Sequence, residues 1–176
     1  AYRAIAYGYA DAIIAGGAEA TINPLAVGGF TNCKALSKST NPLEASLPFD
    51  ARRAGFVIGE GSGIVVLEEY EHAKARGAKM YGELCGYGNT CDAYHYTAPK
   101  PDGSCASLAI RQAMEQAKYT SDDVVYVNAH GTGTPLNDKS ETKALKLAFG
   151  EEDAKKLHIS SSKSMTGHTL GAAGGM

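Results

Sequence analysis

The sequence has 176 residues, of which 44% are hydrophobic and 20% are charged, and its formal net charge is −2. These values are ordinary for a globular domain, and the charge provides no basic field of the kind that attracts nucleic acid. No apolar run approaches the ~20 residues of a membrane-spanning helix, and the N-terminus does not resemble a signal peptide.

The predicted elements alternate between helices and strands, which is typical of an α/β fold whose sheet is mostly parallel where crossover helices connect the strands. We predict, in chain order, the end of a helix over 1–7, a strand over 11–15, a loose helix over 24–36, a loop over 37–50, a strand over 63–69, a helix over 70–76, a strand with bulges or bends over 81–90, a helix over 104–118, a strand over 124–127, a helix that Asn137 or Asp138 caps and that ends at Phe149, and a strand over 158–161. Both ends of the sequence fall inside predicted helices, so we interpret the chain as an internal piece of a longer protein.

Four cysteines occur, at positions 33, 85, 91 and 105, and no two of them form a C-x-x-C pair. This spacing argues against a zinc knuckle or a thioredoxin-type motif. A chain with this much apolar content does not need disulfides for stability, so we predict reduced thiols and no metal site.

Two histidines follow predicted strands, and each lies in a loop rich in glycine and hydroxyl groups. His130 follows the strand over 124–127, and His168 follows the strand over 158–161. Ligands of open α/β sheets gather beyond the carboxyl ends of strands, so these loops form a candidate site. The pattern by itself leaves open whether the pair is catalytic or structural.

We expect His168 to stand at the N-terminus of a helix over 169–176. The positive end of the helix dipole and the nearby Lys163 would both disfavour an imidazolium. Two neutral imidazoles directed at one carbonyl oxygen would stabilise an enolate that forms there.

Several segments resemble β-ketoacyl-acyl-carrier-protein synthases, and in particular the fatty-acid elongating type often called synthase II. The two histidine segments are NAHGTGTPLND over Asn128–Asp138 and SSKSMTGHTLGAAGG over Ser161–Gly175. Four further segments match in the same order: DAIIAGGAE over 11–19, GGF over 28–30, PFDARRAGFVIGE over 48–60 and DAYHYTAP over 92–99.

The resemblance implies a thiolase-like fold, in which two similar α/β halves stack as an α-β-α-β-α sandwich. Residues 1–78 would end the first half and residues 79–176 would begin the second. It also implies a decarboxylative Claisen condensation of an acyl thioester with malonyl carrier protein. No metal or organic cofactor is implied, because the phosphopantetheine arm belongs to the acyl carrier protein. A cytoplasmic homodimer is the expected form, or one in a plastid or the mitochondrial matrix of a eukaryote.

The resemblance also assigns roles by position. His130 and His168 match the catalytic histidine pair, and Lys163 matches the family's lysine. The substrate-binding positions are Thr132 and Thr134, beside the phosphopantetheine arm, with Thr97 and Phe30 lining the same pocket. Lys34 lies where a basic residue would meet the acidic carrier protein.

The family's nucleophilic cysteine matches none of the four cysteines here, and we expect it upstream of Ala1. Cys91 lies near Asp92 and His95, but its segment matches a different region of the family. The isolated piece would then be inactive.

Three other functions remain as alternatives. A polyketide ketosynthase would share the segment His130–Pro135. A non-catalytic partner subunit of a heterodimeric ketosynthase would usually lack the histidine pair. A nucleotide-binding module is disfavoured, because no phosphate-binding glycine motif lies between a strand and a helix.

Overall fold

The computed structural model describes residues 1–176. Four strands and seven α-helices are present, and the short 3-10 turns lie between them. In chain order the elements are α1 (Tyr2–Ala6), β1 (Ala12–Glu19), α2 (Pro24–Asn32), β2 (Gly61–Glu68), α3 (Tyr70–Ala75), α4 (Ser104–Ala117), β3 (Tyr126–Asn128), α5 (Pro135–Phe149), α6 (Glu151–Ala154), β4 (His158–Ser160) and α7 (Lys163–Thr166), with 3-10 turns at Pro42–Glu44, Ser121–Asp123 and Leu170–Ala172.

The strands form two separate pairs. β1 and β2 are antiparallel over eight residues, from Ala12 opposite Glu68 to Glu19 opposite Gly61. β3 and β4 are parallel, from Tyr126 beside His158 to Asn128 beside Ser160. The longer pair is therefore antiparallel, and only the second pair has the parallel arrangement predicted for strands joined by crossover helices.

The apolar core of the second half lies where α4 and α5 pack against the β3–β4 pair. Leu145, Phe149 and Ala154 are buried at its centre. The partly buried residues around them are Ile110, Met114, Val124, Val127, Ala148 and Leu157. The helix predicted over 104–118 is confirmed, since α4 spans Ser104–Ala117 and presents Ile110 and Met114 to this core.

The strand predicted over 81–90 is wrong in this structure, because the segment pairs with no other strand. Its glycines do not mark bulges. A Cβ atom added to Gly86 or Gly88 would lie 2.0 or 1.8 Å from the carbonyl oxygen of Ala113 or Ala109 in α4. These glycines therefore let an extended segment run directly against the backbone of the helix.

Two predicted helix starts are also wrong. α5 begins at Pro135 with Thr134 as its N-cap, so neither Asn137 nor Asp138 caps it. Proline is favoured at the first helical position, because its missing N–H has no partner there in any case. No α-helix follows His168; only the 3-10 turn Leu170–Ala172 does, and the helical turn α7 precedes the histidine instead.

Candidate active site

The parallel strands β3 and β4 bring the two histidine loops to one edge of the sheet. The backbone N–H of Ala129 donates to the carbonyl of Ser160 at 2.8 Å, which extends the pairing by one residue past β3. Each chain then turns into its loop beyond that point. The rings of His130 and His168 meet edge to face, with centroids 5.4 Å apart.

His130 is held through its backbone by a glutamate that the sequence analysis did not single out. Glu141, in α5, accepts hydrogen bonds from the N–H groups of His130 and Gly131 at 2.7 and 2.8 Å. Gly131 has a φ of 39°, and a Cβ there would lie 2.5 Å from Cβ of Ser161. The glycine thus permits the tight turn that aims His130 at its partner.

One sequence signal could have identified Glu141. Asp138 and Glu141 are three residues apart in α5 and precede Leu145 and Phe149 at helical spacing. Acidic residues on the core-facing side of a helix are rarely left without partners. Here Asp138 is 1% exposed and accepts from the N–H groups of Phe49 at 2.7 Å and Gly133 at 3.2 Å.

His168 is clamped by a segment from the first half of the chain. Its N–H donates to the carbonyl of Val57 at 2.7 Å, and its carbonyl accepts from the N–H of Gly59 at 3.0 Å. The ring nitrogen Nδ1 accepts from the backbone N–H of Leu170 at 3.1 Å. A neutral imidazole that accepts at Nδ1 carries its proton on Nε2, so Nε2 is free to donate toward a substrate oxygen.

An aromatic row covers one side of this site. The ring of Phe56 lies 5.1 Å from that of His168, and the ring of Phe30 lies 5.3 Å from that of Phe56. Phe56, which the sequence analysis did not assign to the site, therefore stands between the predicted pocket residue Phe30 and the histidine pair. The contact with Phe56 shields part of the His168 ring from solvent.

Both histidines are biased toward the neutral form. Burial, the neighbouring His130 and the charge of Lys163 lower the pKa of His168 to about 4. Partial loss of solvent around the ring and the charge of Lys163 also lower the pKa of His130, although this residue is more exposed than His168, and the charges of Glu141 and Asp138 oppose them. The α-helix whose dipole was expected to contribute is absent, because only a three-residue 3-10 turn follows His168. The expected contribution of Lys163 is present and is smaller than that of burial.

Lys163 is buried as the first residue of α7. Its carbonyl accepts from the hydroxyl of Ser46 at 2.7 Å. Burial lowers the pKa of its amine, while the charge of Glu141 raises it. The lysine thus lies within the electrostatic reach of both histidines and of the glutamate that holds His130.

Thr132 and Thr134 lie together beyond His130, and their hydroxyl oxygens are 2.9 Å apart. Thr97 is in an exposed loop, where its N–H donates to Nδ1 of His95 at 3.1 Å. Lys34 is also exposed. The structure therefore gathers His130, His168 and Lys163 at one place and shows no comparable contact for Thr97 or Lys34.

The cysteines stand apart from this cluster. All four are free thiols, and Cys91 is exposed. No group of three histidine, cysteine or acidic side chains is arranged to hold a metal ion. None of the helices combines the length and the apolar character that crossing a membrane requires.

Comparison with known proteins supports the resemblance found in the sequence. Residues 1–73 match the family model of the β-ketoacyl synthase N-terminal domain, and residues 81–176 match that of the C-terminal domain. The chain is 57% identical over 175 residues to 3-oxoacyl-[acyl-carrier-protein] synthase 2 of Vibrio harveyi, and the match covers 99% of this chain and 42% of that protein.

Two solved structures share the fold. A β-ketoacyl synthase from Burkholderia phymatum has a TM-score of 0.88 and 44% identity, and the match covers 99% of this chain and 41% of that one. A ketosynthase solved with its type II polyketide synthase acyl-carrier protein and bound to the hexaketide has a TM-score of 0.93 and 44% identity over 98% of this chain and 43% of that one. The predicted thiolase-like fold is confirmed, and the chain spans less than half the length of the relatives it matches.

Proposed function

Because the chain belongs to the β-ketoacyl synthase family, we propose that the natural protein carrying it is a 3-oxoacyl-[acyl-carrier-protein] synthase of fatty-acid elongation. The observation that carries this proposal is the contact of the two imidazoles, 5.4 Å apart, with Nδ1 of His168 occupied by the N–H of Leu170. Relatives with 52–57% identity over the whole chain bear that name, which supports the choice of reaction.

In the proposed reaction, the histidines bind the thioester oxygen of malonyl carrier protein. The bond between the carboxylate carbon and the α-carbon breaks, carbon dioxide leaves, and the electron pair moves onto the thioester oxygen as an enolate. Donors aimed at a developing oxyanion lower such a barrier by about 3–4 kcal/mol each. Nε2 of His168 is one donor, and the ring of His130 supplies the second.

The carbon–carbon bond then forms when the enolate carbon attacks the carbonyl of an acyl thioester held on a cysteine, whose thiolate leaves. That thiolate comes from none of the four cysteines of this chain in our proposal. The low pKa of His168, about 4, supports the role of the pair. At neutral pH the ring is then uncharged, and it keeps the Nε2 proton that it donates to the substrate oxygen.

Lys163 keeps the rings neutral, and Thr132 and Thr134 contact the phosphopantetheine arm. Thr97 and Phe30 line the same pocket.

The arm belongs to the acyl carrier protein, so the reaction needs no metal or organic cofactor of its own. The carrier protein is the proposed partner, and the structure of a relative with its own acyl-carrier protein supports this. Lys34, which is exposed, would contribute to that contact.

The remaining proposals concern the whole protein. We place the division between the two thiolase-like halves near residue 78, in line with the family models that end at 73 and resume at 81. The protein would act as a homodimer in the cytoplasm, or in the plastid or mitochondrial matrix of a eukaryote.

The test is carbon dioxide release from malonyl carrier protein by the natural protein and by its His130→Ala and His168→Ala variants. We expect each variant to lose about 10²–10³-fold in rate while remaining folded. The matched control is His158→Ala, since His158 is exposed and lies in β4, the strand that leads to His168. Full activity in both site variants would refute the proposal.

A polyketide ketosynthase is the second candidate, favoured by the TM-score of 0.93 to a ketosynthase of that class. The two are distinguished by product analysis. A fatty-acid enzyme given a saturated acyl primer and malonyl carrier protein adds one two-carbon unit per turnover, whereas a polyketide enzyme extends the same chain repeatedly without reduction. A non-catalytic partner subunit would release no carbon dioxide at all.

A further inference from the structure

The turn that follows His168 contains a strained residue. Leu170 has a φ of 42°, in the left-handed region that non-glycine residues rarely adopt. Such a conformation persists only where the surrounding structure enforces it. Its N–H is the group that donates to Nδ1 of His168, so whatever enforces the strained turn also determines which ring nitrogen of His168 carries the proton.

The turn does not enforce this conformation by itself. It is a 3-10 turn of three residues, Leu170–Ala172, and short turns of this kind have poor hydrogen-bond geometry. Thr169, which precedes the turn, and Ala172, its last residue, are both buried and fix where the turn lies. The orientation of the peptide between Leu170 and Gly171 needs a further contact.

Strand β1 provides that contact. A Cβ added to Gly17 would lie 1.9 Å from the carbonyl oxygen of Gly171, so the two backbones touch directly. Glu19 is two residues further along and projects from the same face of the strand. Its Oε2 accepts a hydrogen bond from the N–H of Gly171 at 2.9 Å, across 152 residues of sequence.

We propose that Glu19 is a positioning residue, which holds the Leu170–Gly171 peptide and thereby keeps His168 in the tautomer that donates from Nε2. The inference rests on the proposed function for its catalytic consequence, but the tautomer itself is independent of it. The two N–H groups are adjacent in the chain. The N–H of Leu170 donates to the ring of His168, and the N–H of Gly171 donates to the carboxylate of Glu19. Without the carboxylate, Leu170 relaxes out of the left-handed region and its N–H turns away from the ring.

The experiment uses the natural protein with ¹⁵N-labelled histidine. The ¹⁵N chemical shifts of the His168 ring report which nitrogen is protonated, and His168→Ala identifies its signals. We compare three variants: Glu19→Ala removes the carboxylate, Glu19→Gln keeps a carbonyl acceptor, and Glu19→Asp shortens the side chain and retains the charge. Glu19→Asp takes the place of the alanine variant if that variant does not fold. Glu69→Ala is the matched control, because Oε2 of Glu69 accepts from the N–H of His72 at 2.7 Å, far along the chain from His168.

In Glu19→Ala and Glu19→Asp we expect a mixture of the two tautomers and an approximately tenfold lower kcat for carbon dioxide release, with KM little changed. Glu19→Gln and Glu69→Ala should resemble the wild type in both measurements. A ring that remains wholly in the Nε2-protonated form in Glu19→Ala, or in a folded Glu19→Asp if the alanine variant does not fold, overturns the inference. If the tautomers mix while neither these variants nor His168→Ala lose activity, Glu19 positions the ring as inferred and the proposed function has failed instead.

Discussion

The ring of Phe56 meets the imidazole of His168 edge to face, with the centroids 5.1 Å apart. Phe56 is 7% exposed, so it fills a buried space as well as covering the histidine. Burial is the largest cause of the low pKa of His168. Packing and protonation state are therefore linked at this contact.

Replacing Phe56 with alanine should raise the pKa of His168 from about 4 toward the ordinary value of 6.5, because water would then reach the ring. The same change should cost about 3–5 kcal/mol in free energy of unfolding. An NMR titration of the ring and a denaturant unfolding curve measure the two effects. Phe30→Ala, which removes a ring one position further from His168, should leave the pKa unchanged.

Replacing Lys163 with methionine should raise the pKa of both histidines, because the lysine charge lowers both. Protonation removes a ring from its proposed role, so wild-type decarboxylation should persist as pH falls below 6.5, and its acidic limb should move to higher pH in the variant. The pH–rate profile of kcat measures this. Lys139→Met, at an exposed position of α5, should keep the wild-type profile, and an unmoved limb in Lys163→Met would contradict the electrostatic argument.

The folded-state pKa of His168 also predicts how stability changes with pH. The unfolded chain takes up a proton near pH 6.5 and the folded chain only near 4, so the free energy of unfolding should fall as pH decreases through that window. In His168→Ala this fall should be shallower. Denaturant unfolding at several pH values gives the comparison, and equal slopes in the two proteins would count against a depressed pKa.

Replacing Glu141 with alanine should loosen the His130 loop, because two backbone N–H groups lose their charged acceptor. The expected loss is about 2–3 kcal/mol of unfolding free energy. Glu141→Gln keeps an oxygen acceptor and removes the charge, so it should be less destabilising while lowering the pKa of Lys163 and His130. Similar stability of the alanine variant and the wild type would show that the loop holds without this residue.

Replacing Gly59 with alanine should destabilise the clamp on His168. The added Cβ would lie 2.3 Å from the carbonyl oxygen of Thr166, and overpacking of this kind costs about 1–3 kcal/mol. Gly28→Ala is the control: it lies inside α2 with nothing within 4 Å of the added carbon, and it should stabilise the helix by about 0.5–1 kcal/mol. Thermal unfolding of the two variants should therefore shift in opposite directions.

Features that depend on local pattern could be predicted from the amino-acid sequence alone. The apolar spacing over 104–118 predicted α4, and the motifs around His130 and His168 identified the family and nominated the residues of the candidate site. Such predictions succeed because helical periodicity and family motifs both depend on residues that are close together in sequence.

Contacts between groups that are far apart in sequence became visible only in the folded chain. Glu19 and Gly171 are 152 residues apart in sequence, and Phe49 and Asp138 are 89 apart. The same holds for the antiparallel β1–β2 pair, for the contact of Phe56 with His168 and for the role of Glu141. In each case the local sequence does not indicate which distant segment it will contact. In place of the helix expected after His168 there is the 3-10 turn Leu170–Ala172, which contacts β1, a strand more than 150 residues earlier in the chain.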